Sequence, residues 1–319
     1  MTKRSVLITG AAGYVGRLTV EALAARPAEV DAVVAADVRE VPPAERHEGV
    51  VYVVADVSTD DLAGVMRAHR IDTVVHLASV VRVPPGAPPD LAHRVDVVGT
   101  RNVLEACVAA GVRKVVVTTS GAAYGYHADN PEWLDEAHPL RGNERFPYSH
   151  HKKLIEEMLA TFRREHPELR QLVLRPGTVI GEGTSSPVTD LFEGPAILGI
   201  WGSRSPFVFI WDRDLVDILL RGVLEDREGI YNVAGDGTLS GRDIARRLGK
   251  PYLPVPAFVL KTALRLLRAL GRTPHGPEQV DFLRYRPVLS NRRLTRELGY
   301  RPVPSAAAFD KWARSRGRG

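Results

Sequence analysis

The first half of the chain alternates between two patterns of apolar and polar positions. Short apolar runs of strand length alternate with segments whose apolar residues recur at helical spacing. The alternation is typical of an α/β fold, a doubly wound parallel sheet with helices on both faces. The predicted strands are residues 5–9, 32–36, 50–54, 73–78, 114–120 and 172–176. The predicted helices are Tyr14–Ala25, Ser58–Arg70 with Ser58 as its N-cap, Leu91–Ala110 and Tyr148–Glu165.

Three glycines stand between the first predicted strand and the first predicted helix. Gly10, Gly13 and Gly16 follow the apolar run at spacings of three. Glycine lets the backbone turn tightly and approach a ligand, and the free N–H groups of a helix N-terminus attract negative charge. The stretch therefore predicts a site for the diphosphate of a dinucleotide, although its spacing differs from the common G-x-G-x-x-G pattern.

A carboxylate follows the second predicted strand. Asp37 lies 21 residues after Gly16, where a side chain would meet the ribose hydroxyls of the adenosine half. A carboxylate there favours a free 2′-hydroxyl and repels a 2′-phosphate, so the predicted cofactor is NAD. Arg39 is close enough in sequence to leave NADP as the alternative.

The pattern changes after Gly181. Residues 183–206 contain Gly, Pro and Trp201 without a strong period, as a segment that covers a substrate would. A short helix, Leu215–Leu224, and a strand, Gly229–Val233, come next, and small helices separated by Pro and Gly follow. We predict a Rossmann domain of residues 1–182, to which 207–234 return, and a smaller C-terminal α/β substrate-binding domain of residues 183–206 and 235–319.

Composition is that of an ordinary globular protein. The 319 residues are 44% hydrophobic and 25% charged. No apolar run reaches the roughly 18–20 residues that span a bilayer. The first strand begins almost at the N-terminus, without a secretory signal, and the single cysteine, Cys107, leaves no partner for an internal disulfide. We therefore expect a cytoplasmic location and a packed, unreactive Cys107.

Two basic segments bear on possible partners. The net charge is +5, but most basic residues are scattered, and Lys311–Arg318 is interpreted as a solvated, partly disordered end rather than a nucleic-acid arm. In Phe258–Leu270, Lys261, Arg265 and Arg268 line one face. Such a helix can lie on a membrane surface, but a surface helix of the second domain is the simpler interpretation. Neither nucleic acid nor a membrane is predicted as a partner.

Tyr148 and Lys152 provide acid–base chemistry. They are four residues apart in a predicted helix, so both side chains face the same way. Tyrosine is a poor base at its ordinary pKa near 10, and a neighbouring lysine favours the phenolate and lowers that pKa. Ser120, at the end of the fifth predicted strand, adds a hydroxyl that can hold a substrate oxygen while Tyr148 moves the proton. These three are the predicted catalytic residues, and no metal site is predicted.

With these residues the chain resembles the extended short-chain dehydrogenase/reductase family, of the NAD-dependent epimerase/dehydratase type. This family also includes hydroxysteroid-dehydrogenase-like reductases. The resemblance covers residues 4–305. Family motifs are matched by residues 9–16, 56–57, 76–79, 97–102, 120–125, 148 with 152, 174–176 followed by 181, 206–215, 231–233 and 298–302.

The resemblance implies which residues bind the cofactor. It also implies a homodimer and a small-molecule substrate. The implied cofactor-binding residues are Gly10, Gly13, Tyr14, Val15, Gly16, Asp37, Asp56, Val57, Leu77, Ala78, Tyr148, Lys152 and Pro176.

Departures from the family pattern narrow the reaction. Gly121 and Ala122 stand where the family's dehydratases have Asp-Glu, which argues against a sugar 4,6-dehydratase. Asp96 replaces the Asn of the Asn-Val-x-Gly-Thr motif, so the role of that Asn is not carried over. Trp211 and Arg213 replace the His and the first Asp of the Phe-Ile-His-Val-Asp-Asp-Val motif.

The segment Gly194–Trp201 bears on the substrate. It is short and apolar, whereas sugar epimerases tend to have a longer segment with an arginine clamp for the diphosphate; Arg204 could still serve as a clamp. The segment therefore favours a less polar substrate.

Three hypotheses follow. The first is an NAD-dependent oxidoreductase that interconverts a secondary alcohol and a ketone. The second is an NAD-dependent nucleotide-sugar epimerase with no net redox change. The third is a non-catalytic NAD-binding regulatory protein, against which Ser120, Tyr148 and Lys152 argue, since a binding protein has no need of all three.

Overall fold

The computed structural model describes residues 3–273 and 276–317. The strands are β1 (Arg4–Thr9), β2 (Val30–Asp37), β3 (Val50–Val54), β4 (Thr73–His76), β5 (Lys114–Thr118), β6 (Arg170–Pro176), β7 (Thr178–Ile180), β8 (Ile197–Ile200), β9 (Phe209–Trp211), β10 (Gly229–Val233) and β11 (Tyr252–Val255). The α-helices are α1 (Tyr14–Ala24), α2 (Leu62–Ala68), α3 (Leu91–His93), α4 (Gly99–Ala110), α5 (Pro147–Glu165), α6 (Pro187–Asp190), α7 (Asp212–Leu224), α8 (Gly241–Arg247), α9 (Ala257–Ala269), α10 (Gln279–Arg284) and α11 (Ser305–Ser315).

Within the described residues, seven strands form one sheet in the order β10-β6-β5-β4-β1-β2-β3. The pairs from β6 across to β3 are parallel, and β1 lies in register with β2 on one side and β4 on the other. The strand order reverses between β1 and β4, which is the point where open α/β sheets bind ligands. The predicted α/β fold with a doubly wound parallel sheet is confirmed.

The chain divides into two compact units. Unit 1 extends to Ser120 and resumes at Leu154–Arg175 and Asp212–Tyr231. Unit 2 comprises Gly121–Lys153, Pro176–Trp211 and the chain from Asn232 onward. The domain limits drawn from the sequence stay a prediction.

Unit 1 is built around the large sheet. Its strands are apolar on both faces because helices cover them: α1 packs with α7, and α2 packs with α4. The core includes Leu7, Val74 and Val115 on the strands and Leu159 on α5. Cys107 is buried in the same core, as predicted, and burial raises the pKa of its thiol above the usual range.

Unit 2 has two small parallel sheets that sequence reasoning missed. One pairs β7 with β9, and the other pairs β8 with β11. Its core is aromatic: Phe192, Phe209, Phe309 and Trp312 are fully buried and contact one another at their ring edges and faces. Aromatic pairs of this kind add to the stabilisation from burial alone.

Several predicted boundaries need correction. Ser58 is not a helix cap; α2 begins later, where the Asp61 carboxylate accepts from the Gly64 N–H. The helix predicted over Leu91–Ala110 is interrupted by a π-helical turn at Arg94–Val98. The segment 183–206, which shows no strong period in the sequence, contains α6 and β8.

The basic end is also more ordered than expected. Helix α11 continues to Ser315 with Trp312 buried, so most of Lys311–Arg318 is helical; Arg318 lies outside the described residues. No helix in the described part of the chain is long and apolar enough to cross a membrane.

An ion pair is buried in unit 1. The Arg175 guanidinium donates two hydrogen bonds to the Glu156 carboxylate, at 2.8 and 2.9 Å, and both side chains are almost completely buried. The Thr119 hydroxyl donates to the same carboxylate at 2.6 Å. Arg175 lies in β6, Thr119 directly follows β5 and Glu156 lies in α5. Their hydrogen bonds therefore hold α5 against the sheet.

We expect Arg175→Met to lower the free energy of unfolding by about 3–5 kcal/mol, because it leaves the Glu156 carboxylate buried without its cation. Urea denaturation measures the change. The double variant Glu156→Met/Arg175→Met serves as the control and should recover most of the loss, since no buried charge remains. An equal loss in both variants would contradict this account.

Candidate cofactor and catalytic site

The glycine turn after β1 packs directly against the end of β4. Gly10 has a positive φ of 73°, and a Cβ there would lie 2.5 Å from the Ala78 backbone nitrogen. A Cβ on Gly16 would overlap the Gly10 carbonyl oxygen. Glycine is therefore required at both positions. Leu77 and Ala78, predicted cofactor contacts, lie at this close approach, where the Leu77 N–H donates to the Thr9 carbonyl at 3.0 Å.

The N-terminus of α1 is uncapped by any side chain. Gly13 is the N-cap residue, and no acidic residue lies in the first turn, which begins at Tyr14 and Val15. The first N–H groups of a helix have no intrahelical partner and carry partial positive charge. Together with the two glycine positions that cannot carry a side chain, this N-terminus fits the diphosphate of a dinucleotide.

Tyr14 connects the turn to another helix of unit 1. Its hydroxyl donates to the Asp212 carboxylate at 2.5 Å, and the other oxygen of that carboxylate accepts from the Arg213 N–H at 2.7 Å. Asp212 follows the substituted Trp211, which packs in the aromatic core of unit 2. Asp212, at the position of the Val in that motif, therefore holds the glycine turn through the Tyr14 hydroxyl.

Asp37 holds the glycine turn from the end of β2. One carboxylate oxygen accepts from the Ala12 N–H at 2.9 Å. The other accepts from the Arg39 N–H at 3.0 Å and from its Nε at 3.3 Å. The carboxylate is mostly buried, whereas the Arg39 side chain is exposed. Asp37 thus combines a position at the predicted ribose site with a contact that shapes the turn.

Asp56 and Val57 form the turn after β3. The Asp56 carboxylate accepts from the Ser58 N–H and hydroxyl, at 2.8 and 2.7 Å. The Asn102 side chain donates to the Val57 carbonyl at 2.8 Å. This contact links two of the family motifs and holds the predicted adenine contact in place.

The His76 ring is part of the sheet rather than of the reaction chemistry. Its Nδ1 lies 2.7 Å from the Thr9 hydroxyl and its Nε2 lies 3.0 Å from the Thr100 hydroxyl, and the ring is buried. Asp96, in the π-helical turn, accepts from the Ser79 hydroxyl at 2.8 Å and the Val80 N–H at 2.9 Å. Asp96 therefore does connect the end of β4 to this helix, a role left open from the sequence.

Ser120 follows β5 as the last residue before unit 2, and it is half-buried. The next residue, Gly121, packs so closely that a Cβ would lie 2.9 Å from a methyl carbon of Leu289. The Ala122 carbonyl accepts from the Ser149 hydroxyl at 2.7 Å. Gly121 and Ala122 stand where dehydratases carry an acidic pair. Gly121 packs against Leu289, and the Ala122 backbone contacts α5.

Tyr148 and Lys152 lie in the first turns of α5, as predicted. The Lys152 ammonium is 5.4 Å from the centre of the Tyr148 ring. Lys152 is buried and Tyr148 is half-buried. Pro176, the remaining predicted cofactor contact, is buried at the end of β6.

Sequence reasoning missed a buried arginine in unit 2. The Arg286 guanidinium carbon lies 3.8 Å from the centre of the Phe207 ring and 4.1 Å from that of Phe282. Its Nε and one Nη atom are buried and have no hydrogen-bond partner among the described residues. Burial lowers the pKa of Arg286 to about 9, so the group is still charged at neutral pH.

The aromatic rings around Arg286 lead to Tyr148. Phe282 stacks on Phe146, two residues before Tyr148, with ring centres 5.5 Å apart. Tyr126 contacts both rings edge-on. Burial raises the pKa of Tyr126, and the nearby Tyr148 adds to that shift. Arg286, a strong anion binder, is therefore connected through packed rings to the start of α5.

The segment Gly194–Trp201, from which a less polar substrate was expected, contains strand β8 (Ile197–Ile200). Within it, Ile197 is buried in the aromatic core, and Trp201 is 72% exposed. Arg204, named above as a possible clamp, is also exposed, 3.9 Å from Glu132. Packing of β8 accounts for Ile197 and Ile200, which are buried, but not for the exposed Leu198 and Trp201.

Comparisons with known proteins agree with the motifs. The model of the "NAD dependent epimerase/dehydratase family" matches residues 6–234. An uncharacterized protein of Mycobacterium tuberculosis is 28% identical over 98% of this chain and 84% of its own length. A UDP-glucose 4-epimerase of Azospirillum brasilense is 32% identical over 66% of this chain and 62% of its own. The solved UDP-glucose 4-epimerase of Thermus thermophilus in complex with NAD shares the fold, with a TM-score of 0.72 and 24% identity over 98% of this chain and 99% of that one.

Asp37 provides a test of the cofactor site. We expect Asp37→Asn to keep NAD binding within a few-fold, because an amide oxygen can still accept from the Ala12 N–H, while discrimination against NADP falls about tenfold with the loss of charge. Asp37→Ala should weaken both dinucleotides. Titration calorimetry measures the dissociation constants, and Asp31→Asn, at an exposed site on the same strand, is the control. Unchanged NADP discrimination in Asp37→Asn would contradict the assignment.

Proposed function

Because the chain belongs to the NAD-dependent epimerase/dehydratase family, its cofactor is NAD, and we propose that it is an epimerase. The reaction would invert a secondary carbinol carbon of a nucleotide sugar without net redox change. The observation that carries the proposal is Arg286, a buried cation whose Nε and one Nη atom lack a hydrogen-bond partner among the described residues. The similarity to the Azospirillum epimerase supports it.

Arg286 favours an anionic substrate on energetic grounds. A buried charge without a hydrogen-bond partner is costly, and an anion that accepts from the guanidinium would offset that cost. Nucleotide sugars carry a diphosphate, whereas simple alcohols and ketones do not. In the apolar segment that favoured a less polar substrate, Ile197 and Ile200 of β8 are buried in the packing of unit 2, so they support that preference less strongly. The balance therefore moves from the alcohol dehydrogenase hypothesis to the epimerase.

The proposed chemistry uses three side chains. Tyr148, as the phenolate, takes the proton of the substrate hydroxyl while the hydrogen on the same carbon leaves as hydride. Ser120 donates a hydrogen bond to the developing carbonyl oxygen. Bound NAD would supply the redox chemistry as the hydride acceptor and donor. After the ketone has presented its other face, Tyr148 gives back the proton, so protons and electrons balance over the cycle.

Lys152 is proposed to assist Tyr148 in the proton transfer. Its buried ammonium lies 5.4 Å from the centre of the Tyr148 ring. The same ammonium is proposed to hold the nicotinamide ribose. The residues predicted as cofactor contacts, from Gly10 to Pro176, are proposed in that role. A homodimer and a cytoplasmic location stay predictions.

The reaction is tested with purified protein, NAD and a panel of nucleoside-diphosphate sugars. We expect chromatography to show conversion to the epimer with no net change in absorbance at 340 nm. Tyr148→Phe should lower the rate by about 10²–10⁴-fold, because the proton acceptor is lost. Tyr285→Phe, which removes a phenol elsewhere in unit 2, should stay active. Net NADH formation that depends on Tyr148 would instead indicate the dehydrogenase, and binding of NAD without turnover of any substrate would indicate the non-catalytic protein.

Substitution of Arg286 separates binding from folding. We expect Arg286→Met to weaken binding of the nucleotide sugar at least about tenfold, because the anion loses its charged partner. The free energy of unfolding should stay equal or rise, since an unpaired buried charge is removed. Calorimetry measures the first quantity and urea denaturation the second. Wild-type affinity in this variant would remove the argument for an anionic substrate.

A further inference from the structure

Helix α9 turns an apolar face to solvent. No residue of the helix is buried. Phe258, Leu266 and Leu270, spaced by four or eight residues and therefore on one stripe, are 72%, 61% and 68% exposed. A surface helix normally directs such a stripe to the core. In α9 the stripe faces outward.

The charged side of α9 faces a neighbouring helix instead. The Lys261 ammonium lies 3.0 Å from the Asp281 carboxylate, and the Arg268 guanidinium lies 3.5 Å from the Glu278 carboxylate. Asp281 is in α10 and Glu278 is its N-cap residue. These ion pairs fix the rotation of α9 about its axis, so the apolar stripe is held outward.

The strands next to α9 add apolar side chains. Leu198 of β8 and Leu253 of β11 are paired in register, and both are exposed. The Trp201 side chain is exposed, and the Trp201 backbone N–H donates to the carbonyl of Val255, two residues before α9 begins. We call this set the α9 patch: Leu198, Trp201, Leu253, Phe258, Leu266 and Leu270. Exposed apolar patches of this kind mark interaction sites.

We propose that the α9 patch docks on the surface of a membrane that contains anionic phospholipids. The charge of the helix is complementary to such a surface: Asp281 and Glu278 neutralise Lys261 and Arg268, α9 itself has no acidic residue, and the exposed Arg265 and Arg272 remain to meet the headgroups. Apolar side chains of a helix that lies in the interface enter the acyl boundary while its basic residues meet the headgroups. Trp201 suits the same level, where tryptophan is enriched.

The charges argue against a second copy of the chain as the occupant. A two-fold dimer through the patch would place α9 against the same helix of its partner. The basic residues of both helices, including the exposed Arg265, would then lie close to one another and repel. A lipid surface with negative headgroups turns the same charges into an attraction.

The experiment is flotation of the full chain with vesicles. One set contains 30 mol% phosphatidylglycerol in phosphatidylcholine, and the other phosphatidylcholine alone. We expect binding to the anionic vesicles, reduced about tenfold or more in 0.5 M salt and on neutral vesicles. Absence of binding to the anionic vesicles, or equal binding to both kinds, would overturn the proposal.

Variants locate the binding surface. Phe258→Ser/Leu266→Ser should lower vesicle binding at least about tenfold, because two apolar side chains no longer enter the lipid. Arg265→Gln should lower it about fivefold. Val51→Gln, on an exposed apolar position of the edge strand β3, is the matched control and should bind as the wild type does. Unchanged binding in the double variant would overturn the proposal.

Sedimentation of the same proteins without lipid tests the alternative occupant of the patch, a second copy of the chain. Phe258 and Leu266 are not among the catalytic or cofactor-binding residues, so turnover in solution should be unchanged in the double variant. The vesicle result is therefore independent of which reaction the protein catalyses. A wild-type oligomer that Phe258→Ser/Leu266→Ser dissociates, without vesicle binding, would assign the patch to contact between copies and overturn the membrane proposal.

Discussion

The close approach of three backbone segments is the constraint on which the cofactor side of unit 1 depends. Gly10 meets Ala78 at the end of β4, and Gly16 meets the Gly10 carbonyl. No side chain fits between them, so strand, turn and helix stay close enough for the N-terminus of α1 to point at a diphosphate. Asp37 and Asp212 then hold the turn through Ala12 and Tyr14. Asp37 accepts from a backbone N–H and Asp212 accepts from a phenol hydroxyl. Both contacts hold the glycine turn in its shape.

Several family motifs are structural in this chain. His76 joins Thr9 to Thr100 across buried hydrogen bonds, and Asn102 holds the turn at Val57. In unit 2 the Asn232 side chain donates to the Leu134 carbonyl and accepts from the Tyr124 hydroxyl. Buried polar groups of this kind are costly to lose because each removal leaves a partner unsatisfied. These motif residues therefore stabilise the fold around the site.

The sheet of unit 1 was predictable because its strands are buried on both faces, so each appears as an uninterrupted apolar run such as Val115–Val117. The small sheets of unit 2 were not predictable. Strand β8 is short and is defined by its pairing with β11, some fifty residues away in the chain. The Tyr148–Lys152 pair was visible as a helical spacing. The burial of Arg286 was not visible in the sequence. Phe207, Phe282 and Tyr126, which surround it, are not related to one another by a helix or strand period. Periodicity also showed an apolar stripe on α9 but not its direction, which the ion pairs with Asp281 and Glu278 determine.

The packing of Gly121 against Leu289 has a consequence for how this chain can diverge. Acidic residues after Ser120 are what a dehydratase needs, yet the space for a side chain at position 121 is taken by a leucine 168 residues later in the chain. A side chain at position 121 would therefore have to displace the terminal methyl groups of Leu289. Acquiring the acidic pair thus requires the packing around Leu289 to adjust as well, so the change couples the residue after Ser120 to the far end of the chain.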